Sequence, residues 1–284
     1  MSEDRQKRLR LTILGCSSSP GVPRISGDWG ACDPSNPKNR RTRTAALVEL
    51  ISPTGTTRVA IDCGPDFRAQ MLAAKVDRLD AILLTHAHAD HIHGIDDLRG
   101  YMQVQRERID VYADAGTFSR VMDGFSYIFE TPAGSSYPPI ANRHLIEPYR
   151  AFSISGPGGN LPVLALTQIH GSIQSLGYRF ADLAYCTDVS EFPARTEAQL
   201  HDLDVLVLGA LQYKNHPSHF SLDQAVEWIE RLGPRSAVLT HMHTPLDYAT
   251  VLRETPAGIQ PGFDGLVLEL PFDADDRTNG TTRL

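Results

Sequence analysis

Cysteine is scarce and scattered in this chain: Cys16, Cys32, Cys63 and Cys186, with no CxxC pair among them. That spacing excludes a cysteine-rich zinc site and argues against a disulfide framework. No apolar run is long enough to cross a bilayer. The first residues, Met1 to Arg10, are charged and polar where a secretion signal would place an apolar stretch. A cytoplasmic protein without membrane contact is therefore expected. A basic surplus is missing too. The net charge is -7 with histidine neutral, which disfavours nucleic acid as a partner, because a phosphate backbone calls for a basic stripe. A pocket for one phosphate stays open. Low-complexity tracts are absent, and 284 residues suffice for a sizeable core.

What is present is a concentration of ligand-type residues at strand ends. The apolar run Ala81 to Leu84 reads as a buried strand and leads into Thr85-His86-Ala87-His88-Ala89-Asp90-His91. Three further strand candidates end the same way: Val163 to Ile169 in His170, Leu183 to Cys186 in Thr187-Asp188, and Ser236 to Thr240 in His241. Five imidazoles and two carboxylates suit a pair of divalent cations such as Zn, Mn or Fe. His86 and His88, two apart, point the same way in an extended segment. Asp90 and His91 then need a turn to face a second ion. The two oxygens of a carboxylate can bridge two cations, and Asp188 is the candidate. Cations about 3.5–4 Å apart lower the pKa of a water between them and neutralise an oxyanion.

Around these ends, strands are expected at Leu9 to Leu14, Thr44 to Ile51, Thr57 to Ile61, Ile109 to Tyr112, Gly177 to Phe180, Val205 to Leu208 and Leu266 to Leu270. Helices are expected at Asp66 to Ala74, Ile95 to Val104, Phe118 to Phe129 and Leu222 to Leu232, the last opened by Ser221 and closed by Gly233-Pro234. Strands and helices alternate, with antiparallel hairpins among them. That favours a layered α/β sandwich over a doubly wound parallel sheet. One domain over 1–272 is expected, with a covering element around 100–148 and a polar tail over 273–284. Two short echoes hint at similar halves. Ile82-Leu83-Leu84-Thr85-His86-Ala87-His88 matches Val238-Leu239-Thr240-His241-Met242-His243, and Val59-Ala60-Ile61-Asp62 more loosely matches Leu183 to Asp188. The loop Gly15 to Pro23 is small and polar; the backbone and hydroxyls of Ser17, Ser18 and Ser19 can hold an anion, or the loop is a plain connection. Asp62 either orients a metal histidine by a hydrogen bond or is an ordinary turn residue.

The segment Thr85 to Gly94 resembles the HxHxDHxxG signature of the metallo-β-lactamase superfamily, and His170, Asp188 and His241 follow in the order that superfamily uses. The resemblance implies a four-layer αβ/βα sandwich with a dinuclear site at one edge of the sheets. It implies that His86, His88 and His170 hold one metal, that Asp90, His91 and His241 hold the other, and that Asp188 bridges. Leu14 to Pro23 is similar to the first loop of the phosphodiesterase branch, which includes ribonuclease Z and the phosphoribosyl cyclic phosphodiesterases of phosphonate breakdown. His219-Phe220-Ser221-Leu222-Asp223-Gln224-Ala225 resembles the histidine segment those enzymes place beside the scissile phosphate. Pro261-Gly262-Phe263-Asp264-Gly265 is similar to the ending of the cyclic phosphodiesterase group, the nearest resemblance. That group often carries a structural zinc on three early cysteines and a late histidine. Here only Cys32 lies in the early segment and Thr244 stands at the histidine's place, so no structural cysteine-bound zinc is expected and Asp33 to Arg43 must be ordered otherwise. The long arm with which ribonuclease Z clamps tRNA is not evident.

The expectation is a dinuclear Mn- or Zn-dependent hydrolase that cleaves a small phosphorylated substrate, a cyclic phosphate or nucleotide-like ester. A hydroxide bridging the metals attacks phosphorus in line, Asp90 and His219 act as the catalytic groups, and His219 protonates the leaving alkoxide. His216, beside that segment, is a substrate-contact candidate. The alternatives are a hydrolase of C–O, C–N or C–S bonds (lactonase, thioesterase or β-lactamase-like) and a tRNA-processing ribonuclease. A non-catalytic relative is disfavoured because every expected ligand is present. A homodimer is an open expectation.

Overall fold

The structure is a computed structural model that describes residues 7–272, so the polar tail expected at 273–284 lies outside the described residues. The first strands are β1 (Arg8–Gly15), β2 (Ala45–Ser52), β3 (Gly55–Ile61), β4 (Ala81–Leu83), β5 (Ile109–Ala113) and β6 (Ala141–Leu145). The later ones are β7 (Phe152–Gly156), β8 (Gly159–His170), β9 (Ile173–Phe180), β10 (Leu183–Cys186), β11 (Val205–Gly209), β12 (Ser236–Thr240), β13 (Ile259–Pro261) and β14 (Val267–Pro271). The helices are α1 (Phe67–Ala73), α2 (Ala89–Ile92), α3 (Leu98–Gln105), α4 (Ala115–Phe125), α5 (Ala194–Glu197), α6 (Leu222–Leu232) and α7 (Tyr248–Glu254).

Period-two alternation decides which way each strand faces. In β2, Ala46, Val48 and Leu50 join one core and Ala45 and Leu47 another. In β3 and β4 the same division puts Val59, Ile61, Ala81 and Leu83 on one side and Ala60 and Ile82 on the other. Ala45 to Val48, Val59 to Ile61 and β4 are apolar without a break because both their faces are covered. The first side meets Leu161, Val163, Ala165 and Tyr178 of the second sheet; the other meets Phe67 and Met71 of α1 and Phe118 and Val121 of α4. On the far side of the second sheet, Leu222, Ala225, Ile229 and Leu232 of α6 are buried. The result is the four-layer αβ/βα sandwich of the metallo-β-lactamase fold.

The two seven-stranded sheets share one plan, β14-β1-β2-β3-β4-β5-β6 and β7-β8-β9-β10-β11-β12-β13. In each, three antiparallel pairings are followed by three parallel ones. Asp62 and Asp188 follow the equivalent strands β3 and β10, and both take left-handed backbone angles, φ 64° and 47°. The looser sequence echo is thus the one the topology repeats. The closer echo joins β4 to β12, which do not correspond in the two plans.

The stretch 100–148 builds the sheet and its outer layer rather than a separate cover: it supplies β5, α4 and β6. The start of α4 and residues 145–148 line a cavity together with His86 and Ala87.

Candidate metal centre

The histidine loop leaves β4 at the sheet edge and turns into α2, which begins after His88. That turn swings Asp90 and His91 away from His86 and His88. Two glycines let it lie close against the end of β3. Cys63 N–H donates to His91 O at 2.8 Å, and Gly94 N–H to Cys63 O at 2.7 Å. A Cβ at Gly94 would run into the carbonyl oxygen of Gly64, and one at Gly64 into that of Asp90. The glycine that closes the HxHxDHxxG pattern is therefore required by backbone packing.

The loop after β11 is placed by a different device. Phe220 N–H donates to Val189 O at 2.8 Å and Leu211 N–H to Phe220 O at 2.9 Å. Ser221 then opens α6 with a reciprocal capping box to Gln224. This fixes His219 beside Asp188, its Nδ1 3.9 Å from Asp188 Oδ2.

Two groups of ligand-type atoms form, His86, His88, His170 and Asp188 in one, and His91, Asp188 and His241 in the other. Asp188 belongs to both, and its two oxygens face different ways. Oδ2 lies 3.9 Å from His86 Nε2 and 3.7 Å from His170 Nε2. Oδ1 lies 3.3 Å from His91 Nε2 and 3.1 Å from His241 Nδ1. Asp90 adjoins the second group, with Oδ2 3.4 Å from His91 Nε2.

The hydrogen bonds around the rings fix where their lone pairs point. Thr85 Oγ1 donates to Asp62 Oδ2 at 2.8 Å, so it can accept from His86 Nδ1 at 3.0 Å. His91 Nδ1 donates to Asp62 Oδ2 at 2.6 Å, and His170 Nδ1 to the Ser218 carbonyl at 2.7 Å. Thr44 Oγ1 donates to Ser17 O at 2.8 Å and can accept from His241 Nδ1 at 3.1 Å. His86 and His170 thus present Nε2 as a lone pair, His91 presents Nε2 once a cation displaces its proton, and His241 faces Asp188 with Nδ1. His86 Nε2 and His170 Nε2 lie 2.8 and 3.4 Å from His88 Nδ1. The buried Nε2 of His91 has no aligned hydrogen-bond partner. A cation among these nitrogens would take the place of the protons that otherwise lie between them. Ligand atoms around a tetrahedral ion with bonds of about 2.0–2.1 Å stand roughly 3.3 Å apart. The residues present fit a divalent cation in each group.

Charge follows the same geometry. Burial pushes the Asp188 carboxyl up, but His241 and His91 outweigh it and hold the group well below the usual carboxylate range. Asp90 is lowered likewise, burial being overcome by the hydrogen bond and charge of His91. Burial lowers His86, and burial followed by His170 lowers His88. His91 goes the other way: burial would lower it, but the carboxylates of Asp188 and Asp62 hold it well above an ordinary imidazole. Burial and His241 bring His219 down to about 3.

The other sequence candidates fall at the rim. His216 is exposed, its ring 5.2 Å from that of His219. Ser17 is buried, its backbone bridged to Arg43 and Met242. The Ser18 hydroxyl lies 2.9 Å from His243 Nδ1, and the other ring nitrogen of His243 accepts from Arg24 at 2.6 Å. Ser19 is exposed and its carbonyl accepts from Arg43. Thr44, Thr85 and Ser218 were not among the candidates. Their roles arise from hydrogen bonds to rings as far as 197 positions away, for which a single hydroxyl or carbonyl gives no sequence signal.

The segment expected to need ordering, 33–43, is tied to the loop after His241. Arg41, 2% exposed, donates to Cys32 Sγ at 3.0 Å and to Leu246 O at 2.7 Å. Asn39 donates to Asp247 Oδ2 at 2.6 Å, and Tyr248 N–H donates to Asn39 Oδ1 at 2.8 Å. Among the described residues no helix is long and apolar enough to cross a membrane.

Comparison with known proteins agrees with this geometry. A family model described as a β-lactamase superfamily domain matches residues 57–242, which contain both groups. A solved structure described as a new diphosphatase from the PhnP family is 36% identical, with a TM-score of 0.82, covering 93% of this chain and 97% of that one. An octanoyltransferase of Porphyromonas gingivalis (strain ATCC BAA-308 / W83) is 35% identical over 91% of this chain, which spans only 51% of that relative's length. A ribonuclease Z of Bradyrhizobium sp. (strain ORS 278) is 36% identical over 31% of this chain and 29% of its own. The chain belongs to the metallo-β-lactamase superfamily.

Proposed function

We propose that this chain is a metal-dependent hydrolase that cleaves phosphodiester bonds of small molecules at a site for two divalent cations. The observation that carries the reading is the position of His219. Its ring stands 4.6 Å from that of His170 and 4.8 Å from that of His241, beside both ligand groups, and it is not needed to complete either. A proton-donating group beside a dinuclear site serves a leaving alkoxide. The diphosphatase relative supports the same reading.

His86, His88 and His170 would hold one ion, Asp90, His91 and His241 the other, and Asp188 would reach both. Manganese and zinc both suit this set. When bound, the cations supply an activated water and neutralise charge on the phosphoryl oxygens. Asp62, Thr85 and the Ser218 carbonyl hold Nδ1 of His91, His86 and His170, so that their Nε2 atoms face the ligand groups. His219, neutral in the free site, donates a hydrogen bond to the substrate. The negative charge of a phosphate beside it raises its affinity for a proton. As imidazolium it can protonate the leaving oxygen, a step typically worth about 10²–10⁴-fold. His216 is the outer substrate contact. The four free thiols and the acidic balance support a cytoplasmic setting.

The test is a panel of bis(p-nitrophenyl) phosphate, nitrocefin, a lactone and a thioester, each with Mn- and Zn-loaded protein. Turnover of the phosphodiester well above the others is expected. Hydrolysis of the lactone, thioester or nitrocefin with the phosphodiester untouched contradicts the reading.

A further inference from the structure

A cavity of about 690 Å³ opens directly beside His86. It lies between the first turn of α4, the link that follows β6, and the start of β9. Its size is that of a site for one small molecule. Two apolar side chains of its lining, Leu145 at the end of the edge strand β6 and Ile173 at the start of β9, stand at it with 63% and 41% of their surfaces in water. The charged side chains of the lining are all partnered. Asp114 Oδ1 caps α4 by accepting from Thr117 N–H at 2.6 Å. Arg120 lies 3.5 Å from Asp123, and Glu147 accepts from Arg150 at 2.9 Å. The one arginine of the lining, Arg120, already has Asp123 beside it, and His86 is the metal-ligand candidate that the lining includes.

We propose that this cavity receives the organic group of the phosphoester, and that this group is uncharged, largely apolar and about one ring system in size. The inference rests on the phosphodiesterase reading and adds the substrate class to it. The phosphoryl group sits over the two ligand groups, and the ring lies on Leu145 and Ile173. Glycine at position 116 keeps the space open: a Cβ there would meet only Asp114 Oδ1, at an ordinary 3.6 Å, so a larger side chain is tolerated by the helix and projects into the cavity.

The experiment is calorimetric titration of the metal-loaded full chain with inorganic phosphate, methyl phosphate and phenyl phosphate. The unaltered protein is expected to bind phenyl phosphate roughly 10-fold or more tighter than methyl phosphate, the gain of burying one ring. Removing the apolar surface in the double variant Leu145→Ser, Ile173→Ser brings that ratio to within roughly threefold and leaves inorganic phosphate binding as it was. Gly116→Leu, which fills the space instead, also abolishes the preference. Both variants alter exposed positions, so folding is preserved. If inorganic phosphate binds but the unaltered protein shows no preference, or if both variants keep it, the cavity assignment falls and the phosphodiesterase reading stands. If no phosphate compound binds and a thioester or lactone is hydrolysed, both fall.

Discussion

His91 Nδ1 lies 2.6 Å from Asp62 Oδ2, and neither side chain reaches solvent. Asp62 also accepts from Thr85 N–H and from the Thr85 hydroxyl, both at 2.8 Å. One carboxylate therefore sets His91 directly and His86 through Thr85. Asp62→Asn isolates its charge, since asparagine tolerates the left-handed φ of 64° at that position. The expected outcome is a metal affinity lower by about 10–100-fold, measured by competition with a chelator. An unchanged affinity contradicts the positioning role.

The pH dependence of the metal-free chain follows from His91. Its pKa in the fold is held above the unfolded value by Asp188 and Asp62 against burial, which works to lower it. Stability from this group is complete below the unfolded value of about 6.5 and is lost as pH rises through the folded value. Denaturant titrations of chelator-stripped protein should show stability falling above about pH 6.5, with a smaller fall in Asp62→Asn. Stability that rises over that range contradicts the assignment. Cation binding displaces the same proton, so metal affinity should increase with pH.

For His219, the leaving group is the diagnostic. His219→Ala should retain its metals, lose little rate on a p-nitrophenyl ester, and lose about 10²–10⁴-fold on an ester with an alkoxide leaving group. Equal rates for the variant and the unaltered protein on the alkoxide ester remove His219 from the chemistry.

Arg41 carries the ordering of 33–43. Its guanidinium is buried and reaches both Cys32 and the Leu246 carbonyl. Arg41→Ala should cost about 2 kcal/mol or more, because a charged hydrogen-bond donor is lost from the interior. Cys32, only 3% exposed, should then become reactive to a thiol reagent in the native state. A Cys32 as protected as before would show that other contacts hold the segment.

Much of the site was legible because its residues carry chemistry that packing does not require. His86 to His91 formed one local pattern, and His170, Asp188 and His241 each ended an apolar run. The α6 start at Ser221 was equally plain, since capping chemistry is local. What the sequence withheld was of another kind. Thr44 and His241 meet across two sheets, and the Ser218 carbonyl that sets His170 is backbone. The Arg41 side chain is buried, and a guanidinium finds carbonyl and sulfur partners only once the loop after His241 is in place. The histidine echo between β4 and β12 reflected a shared solution at strand ends, whereas the fainter Asp62–Asp188 echo followed the repeated topology.

The account turns on Asp188 serving two cations with its two oxygens. The direct measurement is the metal content per chain, taken by elemental analysis on the unaltered protein and on Asp188→Ala after loading with manganese or zinc. Two ions per unaltered chain are predicted, with at most one in the variant and hydrolysis of bis(p-nitrophenyl) phosphate lost alongside. A variant that still holds two ions per chain and turns over the ester at the original rate would contradict it.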